Sequence, residues 1–279
     1  MNHIYTPQNR KMRVAFLFSG GATGMRTTYE DSAYDTQKYE IVCGVTNKPE
    51  CKGALLTREL EIPLLDIDYR PFRERYSNLK ERRRAYFTSV LDELKDHEPD
   101  VIFMSGFMMI VEDPLLSEFK NKIMNVHPAE LSILTGTLVK RLDAGNSQSK
   151  YIQALMKENS LKSRYKGEDA VSDAIIKGED HIKSTVHLAI EEYDEGPIIV
   201  QSKPFPVDRK FVNKRIDQGN WSAVVEYASK IQDVMKIDGD GPAIRKALEF
   251  AAQGRLEIDD VTLLLDGIEL PYGGYQLAD

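Results

Sequence analysis

Apolar positions in the first half of the chain fall into short unbroken runs, separated by stretches with a helical period. Arg13–Phe18 is a run of strand formers that ends at Ser19-Gly20-Gly21, and a helix is expected from about Met25. Glu40–Val45 reads as a second strand, closed by Thr46-Asn47-Lys48-Pro49. A short helix over Ala54–Glu61 and a third strand over Ile62–Ile67 follow. Asn78–His97 carries Leu79, Tyr86, Phe87, Val90, Leu91 and Leu94 near the 3.6-residue period, which predicts a long helix. Asp100–Met104 and Lys122–Val126 are two further strands, with a short helix at Leu115–Phe119 between them. The strand at 100–104 is apolar throughout, as a strand covered on both faces should be.

Strands alternating with helices predict an α/β fold, a mostly parallel twisted sheet flanked by helices. Ligands of such sheets bind beyond the carboxyl ends of the strands. The loops at 19–24, 46–49, 105–110 and 125–128 leave those ends and should face one crevice. The second half is less regular. Helices are expected around Ile152–Lys157 and over Ala170–Lys177. Ser184–Ile190 and Ile198–Phe205 flank a turn at Tyr193–Pro197 and read as a hairpin. Helices over Ala223–Val234 and Pro242–Ala252 follow, then a tight turn at Asp266-Gly267 within Leu263–Leu270. The chain reads as one domain over 1–279, with an N-terminal extension at 1–12, an insertion at 135–162 and a C-terminal helical tail over 208–279.

Composition narrows the function classes. The chain has 279 residues, 42% of them hydrophobic and 29% charged, enough for a sizeable core without disulfide or metal staples. Its 37 basic and 44 acidic side chains argue against a generic nucleic-acid or membrane-surface binder and leave room for a local anion site. Cys43 and Cys51 form neither a disulfide framework nor a zinc motif, and two thiols suit a reducing compartment. The first residues lack an apolar run, so no signal peptide is expected. The most apolar stretch, Val101–Val111, is far too short to cross a bilayer. These readings point to a cytoplasmic protein.

Asn125-Val126-His127-Pro128 is the sharpest chemical feature. Residues i and i+2 of a strand share a face, so Asn125 and His127 project together. An amide and an imidazole converging on one point suit a developing oxyanion, though both residues can equally be buried and satisfied by backbone groups. Asp194 sits in the hairpin turn, as an Asx-turn former or as a carboxylate that orients and charges a histidine. The loop Ser19–Gly24 either cradles a phosphate at a helix N-terminus or is a plain tight turn. Arg82-Arg83-Arg84 reads as a solvated helix face, and His187, inside a strand, as a structural residue.

Taken together these pieces resemble the folate-dependent formyltransferase family. The resemblance runs over nearly the whole chain. It is carried by VAFLFSGG at 14–21, VTNK at 45–48, PDVIFMSGFMMI at 99–110, NVHPAEL at 125–131, STVHLAIEEYDEGPIIVQ at 184–201 and LLDGIELPYGGY at 264–275. It implies a Rossmann-like formyltransferase fold with a C-terminal hairpin and helices. It also implies transfer of a formyl group from 10-formyltetrahydrofolate, without a metal, to a small-molecule amine such as 5-phosphoribosylglycinamide in purine synthesis. By the same resemblance Asn125, His127 and Asp194 are the catalytic set. Asn125 and His127 would donate to the oxyanion, while Asp194 holds His127 charged and helps remove the amine proton. Phe107, Met108, Met109, Ile110, Val111, Ile123 and Ile190 are expected to line the folate site. Gly20, Gly21, Ala22, Thr23 and Gly24 are expected to hold the acceptor's phosphate. No nucleic acid or membrane partner is implied, and the chain would act as a monomer or homodimer.

Departures from the family pattern concentrate on the acceptor side. The segment after the His-Pro element is interrupted between Leu134 and Arg164, Glu168-Asp169 stand where the family has histidines, and Met109 replaces an arginine. The insertion is therefore expected to fold over the acceptor site, the alternative being a surface insertion that points away from it. Its Lys140, Arg141, Lys150, Lys157 and Lys162 would replace the missing positive charge. Rival readings are transfer to another amine such as an amino sugar, hydrolysis with water as acceptor, and a non-catalytic folate-binding protein.

Overall fold

In a computed structural model describing residues 2–135 and 146–278, eight strands form one sheet. They are β1 (Met12–Phe18), β2 (Tyr39–Thr46), β3 (Leu64–Asp66), β4 (Val101–Ser105), β5 (Ile123–His127), β6 (Thr185–Leu188), β7 (Ile198–Gln201) and β8 (Tyr275–Gln276). Their spatial order is β8-β7-β6-β5-β4-β1-β2-β3. All neighbours are parallel except β6, which runs against both β5 and β7. The predicted mostly parallel α/β sheet and the hairpin, β6–β7, are both present.

The unbroken apolar runs follow from helices on both faces. Val14, Phe16 and Phe18 of β1 pack with Val101, Phe103 and Met124 beneath Ile244, Ala247, Leu248 and Ala251 of the helix Gly241–Ala252. Ala15 and Leu17 point the other way, onto Tyr86, Phe87, Val90 and Leu94 of the helix Leu79–Leu94. Asn78 caps that helix, accepting from the N–H groups of Lys80 at 2.9 Å and Glu81 at 3.1 Å. Among the described residues no helix is long and apolar enough to cross a membrane.

Two segments differ from the sequence expectation. The tail over 208–279 is only partly helical. After the helices Arg209–Asp217, Trp221–Met235 and Gly241–Ala252 it forms strands at Leu256–Asp259, Thr262–Leu265 and Ile268–Glu269, which join Asn2–His3 in a second, four-stranded sheet. Leu256 and Ile258 alternate with polar neighbours, a period-2 signal too short to stand alone. The N-terminal extension supplies that sheet's edge, and β8 returns to the main sheet. The insertion contributes a helix, Ser149–Asn159, seated on this second sheet. Gln153 Nε2 donates to the Val261 carbonyl at 2.8 Å, and Lys150 N–H to Glu269 Oε1 at 3.0 Å.

Candidate active site

The loops after β1 and β4 lie side by side because these strands are neighbours, β2 leaving β1 on its other edge. Backbone and side chain lock them together. Ser19 N–H donates to the Gly106 carbonyl at 2.9 Å, and Met108 N–H to Ser19 Oγ at 2.9 Å. Both loops border a cavity of about 630 Å³.

The wall from the first loop contains Gly20, Gly21, Ala22, Thr23 and Gly24. Ala22, at φ 51°, directs the chain into the helix Thr23–Tyr29, whose first residues Thr23 and Gly24 also line the cavity. Gly24 allows the helix to approach β4, since a Cβ there would lie 2.3 Å from Ser105 Oγ and 2.5 Å from Ile244 Cδ1. The second wall is the apolar stretch Phe107, Met108, Met109, Ile110 and Val111, with Ile190 and Tyr193 from the hairpin. Met108 is 49% exposed and Ile110 39%, whereas Phe107 and Met109 pack against the core behind them.

Ile123 corrects the sequence expectation. It does not line the cavity but is fully buried beneath the helix Leu79–Leu94, beside Leu115. It shares a face with Asn125 and His127 yet lies one pleat, about 6.6 Å, further from the strand end.

At the carboxyl end of β5, Asn125 and His127 face the cavity together with Asp194, as the i, i+2 spacing requires. Asp194 lies at φ 56°, a left-handed position that non-glycine residues occupy at some cost in strain. Its Oδ2 accepts from Gly167 N–H at 3.1 Å and lies 3.5 Å from His127 Nδ1. His127 Nε2 donates to the Tyr165 carbonyl at 2.9 Å. That carbonyl can only accept, so Nε2 carries a hydrogen and Nδ1 is left facing the Asp194 carboxylate.

His187 belongs to the same cluster, contrary to its structural assignment from sequence. Antiparallel register sets it opposite Asn125. Its Nδ1 donates to the Leu188 carbonyl at 2.9 Å, leaving Nε2 to accept from Asn125 Nδ2 at 3.2 Å. The same Nε2 lies 3.6 Å from Asp194 Oδ1. The signal that could have found it was the hairpin itself, once its register against β5 was drawn.

Burial pushes the His127 imidazole below its ordinary pKa, and the Asp194 charge opposes this without cancelling it. Burial alone would raise the Asp194 carboxyl. When the adjacent His187 and His127 rings are protonated, their hydrogen bonding and charge, with the Gly167 N–H, outweigh it and hold the group well below the usual carboxylate range. The pair thus rests as an ionised carboxylate beside a readily deprotonated imidazole. Two converging donors were expected from sequence. Asn125 keeps one amide hydrogen for the cavity, but the Nε2–H of His127 is committed to Tyr165.

Lys48 lines the cavity from the 46–49 loop that the sequence placed at the crevice, whereas two further lining residues, Lys236 and Asp240, carried no local signal. The last two bound a single π-helical turn, Lys236–Asp240, a rare form often found at functional sites. Burial pushes the Asp240 carboxyl up to about 6, with Ser184 opposing, and its Oδ1 has no hydrogen-bond partner among the described residues. Lys48 and Lys236 bring positive charge to the cavity, which Glu168 also lines.

No described residue of the 135–162 insertion lines this cavity. Lys140 and Arg141 lie outside the described residues. Lys150 is 3.8 Å from Asp259 on the second sheet, and Lys162 is 3.5 Å from Glu192 on the hairpin turn.

The sequence profile described as formyl transferase matches residues 12–145 and 152–224. A phosphoribosylglycinamide formyltransferase of Haemophilus influenzae is 25% identical over 263 residues, 94% of this chain and 98% of that protein. Among solved structures, a phosphoribosylglycinamide formyltransferase of Coxiella burnetii is similar in fold, with a TM-score of 0.67 at 17% identity, over 96% of this chain and 100% of that one. A formyltetrahydrofolate deformylase of Pseudomonas syringae is similar too, with a TM-score of 0.62 at 17% identity, over 92% of this chain and 66% of that one.

Proposed function

The chain belongs to the formyl transferase family, and from that premise we propose that it transfers the formyl group of 10-formyltetrahydrofolate to the amine of 5-phosphoribosylglycinamide in purine synthesis. One observation carries the reading. A single cavity is lined by the 20–24 loop with two lysines, by the Asn125–His127–Asp194 cluster and by the apolar stretch 107–111. The 20–24 loop with Lys48 and Lys236 is a cradle suited to the acceptor's phosphate. The slot between Met108–Ile110 and Ile190–Tyr193 suits a flat heteroaromatic ring, with apolar side chains already turned toward it.

The folate supplies an activated formyl carbonyl. Asn125 has one amide hydrogen on His187 and directs the other at the carbonyl oxygen, where negative charge develops. His127 Nδ1 and the Asp194 carboxylate form a pair of acceptors that takes the proton of the attacking amine. Once protonated, the imidazole is held between Asp194 and the Tyr165 carbonyl, and it returns that proton to the folate nitrogen as the tetrahedral adduct collapses, the bond from that nitrogen to the formyl carbon breaks and tetrahydrofolate leaves. His187 fixes the amide of Asn125 and acts as a positioning residue.

The test is a panel of amines, including 5-phosphoribosylglycinamide, incubated with purified protein and 10-formyltetrahydrofolate. Formylation of that amine is expected. Formate release without an acceptor would assign hydrolysis instead, and a formyl group left on the folate in every case would overturn the reading.

A non-reacting folate analogue should raise the melting temperature by roughly 5 °C at a hundred times its Kd. Ile110→Glu should abolish the shift, because a buried charge would then face the ring. The unliganded melting temperature should stay within about 2 °C, since Ile110 is already 39% exposed. An undiminished shift in the variant would remove the ring from this slot.

A further inference from the structure

The segment Ser163–Gly167, through which the chain returns from the insertion, touches the reacting groups from one side. Tyr165 gives its carbonyl to His127, and Gly167 its N–H to Asp194. Next to Asp194 in the turn stands Glu195, whose side chain is only 6% exposed. Its carboxylate accepts from Lys166 Nζ at 2.8 Å and from Ser163 N–H at 3.2 and 3.3 Å. Lys166, 18% exposed, also lies over the Tyr193 ring, 4.7 Å from its centroid. From the C-terminal tail Tyr272 faces the same carboxylate, its phenol pushed up by burial and by the Glu195 charge.

The turn therefore has Asp194 and Glu195 anchored on one five-residue segment, one through a backbone N–H and one through a buried ion pair. Such anchoring is what a strained left-handed Asp194 requires, because a strained residue persists only where its surroundings over-determine it. Without the pair, the Asp194 backbone would be free to relax and its carboxylate to leave His127 Nδ1.

We propose that Lys166 and Glu195 are positioning residues for the formyl transfer, their ion pair holding Asp194 against His127 by clamping the hairpin turn to Ser163–Gly167. The proposal rests on the functional reading above for its kinetic consequence, but the geometry it asserts can be measured without turnover. In a buried pair, loss of one partner leaves the other charge uncompensated, so the turn should move rather than keep its place.

The experiment compares the full-length protein with Lys166→Met and Lys166→Arg. For Lys166→Met, kcat should fall roughly tenfold, as expected for a displacement well under 1 Å, with KM for the folate within about twofold of the parent. Lys166→Arg, which keeps charge and hydrogen bonding, should recover most of the loss. In parallel, NMR titration of the His127 imidazole in the unliganded proteins should show its pKa lower in Lys166→Met, because the Asp194 carboxylate has moved away. A purely structural pair would lower the melting temperature while leaving kcat of the folded fraction and the His127 titration at parent values, and that outcome overturns the proposal. Should the parent transfer formyl to none of the amines, the functional reading fails while the imidazole titration still decides the positioning role. Should Lys166→Met not fold, Glu195→Gln carries the same titration with Lys166→Arg as its parent-like control, and a parent value in Glu195→Gln overturns the proposal.

Discussion

Asp194→Asn and His127→Ala are each expected to lower turnover by at least about a hundredfold, about 2.7 kcal/mol of lost transition-state stabilisation. Asparagine is the informative replacement at 194. It tolerates the left-handed φ of 56° as well as aspartate does, so the turn backbone is kept and only the charge is lost. What disappears is the carboxylate 3.5 Å from His127 Nδ1, and with it the acceptor pair for the amine proton. His127→Ala removes the imidazole and also leaves the Tyr165 carbonyl without its donor, so it should cost some stability besides activity. Folate affinity should survive both changes, because the apolar slot lies on the other wall of the cavity. Near-normal turnover in either variant would remove that residue from the chemistry.

The Asp194 pair also has a pH signature. Its carboxyl has a lower pKa folded than unfolded, so it stabilises the protein above the ordinary carboxylate pKa, about 3.9. That contribution is lost as pH falls further. In Asp194→Asn this part of the acid-side decline in stability should be absent, as chemical denaturation at pH 3 and pH 6 would show.

Gly196→Ala is expected to destabilise the fold by more than about 3 kcal/mol, beyond the usual range for overpacking. A Cβ built at this position would stand 1.7 Å from the Leu188 carbonyl oxygen and 2.8 Å from its carbon. Both are backbone atoms and cannot rotate away. That carbonyl also accepts from His187 Nδ1, and the Leu188 N–H donates to the Pro197 carbonyl at 3.0 Å. The hairpin would have to open at the point where it holds His187 and, two residues earlier, Asp194. Activity should therefore fall along with stability. Gly178→Ala is the control. Gly178 has φ 101° but nothing within 4 Å of a Cβ, so only backbone strain of about 1–2 kcal/mol is expected there. Urea unfolding of the two variants measures the difference, and equal costs would mean that the hairpin yields at Gly196.

Much of the cavity lining was legible from local pattern. The glycine loop, the 107–111 stretch and the Asn125–His127 pair all sit at carboxyl ends of strands that the apolar runs marked. A strand end is a local property, readable from where the run stops and a turn begins. Asp194 was legible because Gly196 and Pro197 follow it in a turn between two apolar runs. Lys48 follows another such strand end, whereas Lys236 and Asp240 were harder to read, since they come from a π-turn between two helices and no period announces a side chain there.

By itself the sequence determined the alternation of strands and helices, the mostly parallel sheet and the crevice where four loops meet. Burial on both faces makes strands uniformly apolar, and chain chirality leaves few ways to connect them. Only the tertiary structure decided how deep each residue lies along its strand. Ile123 shares a face with His127, yet one is packed with the helix Leu79–Leu94 and the other lines the cavity, four residues further along the strand. Pairing across 62 residues set His187 beside Asn125, and contacts with the second sheet seated the helix Ser149–Asn159 there rather than in the crevice. Such placements depend on which distant backbone satisfies which hydrogen bond, a condition spread over the whole chain and present in no single stretch of it.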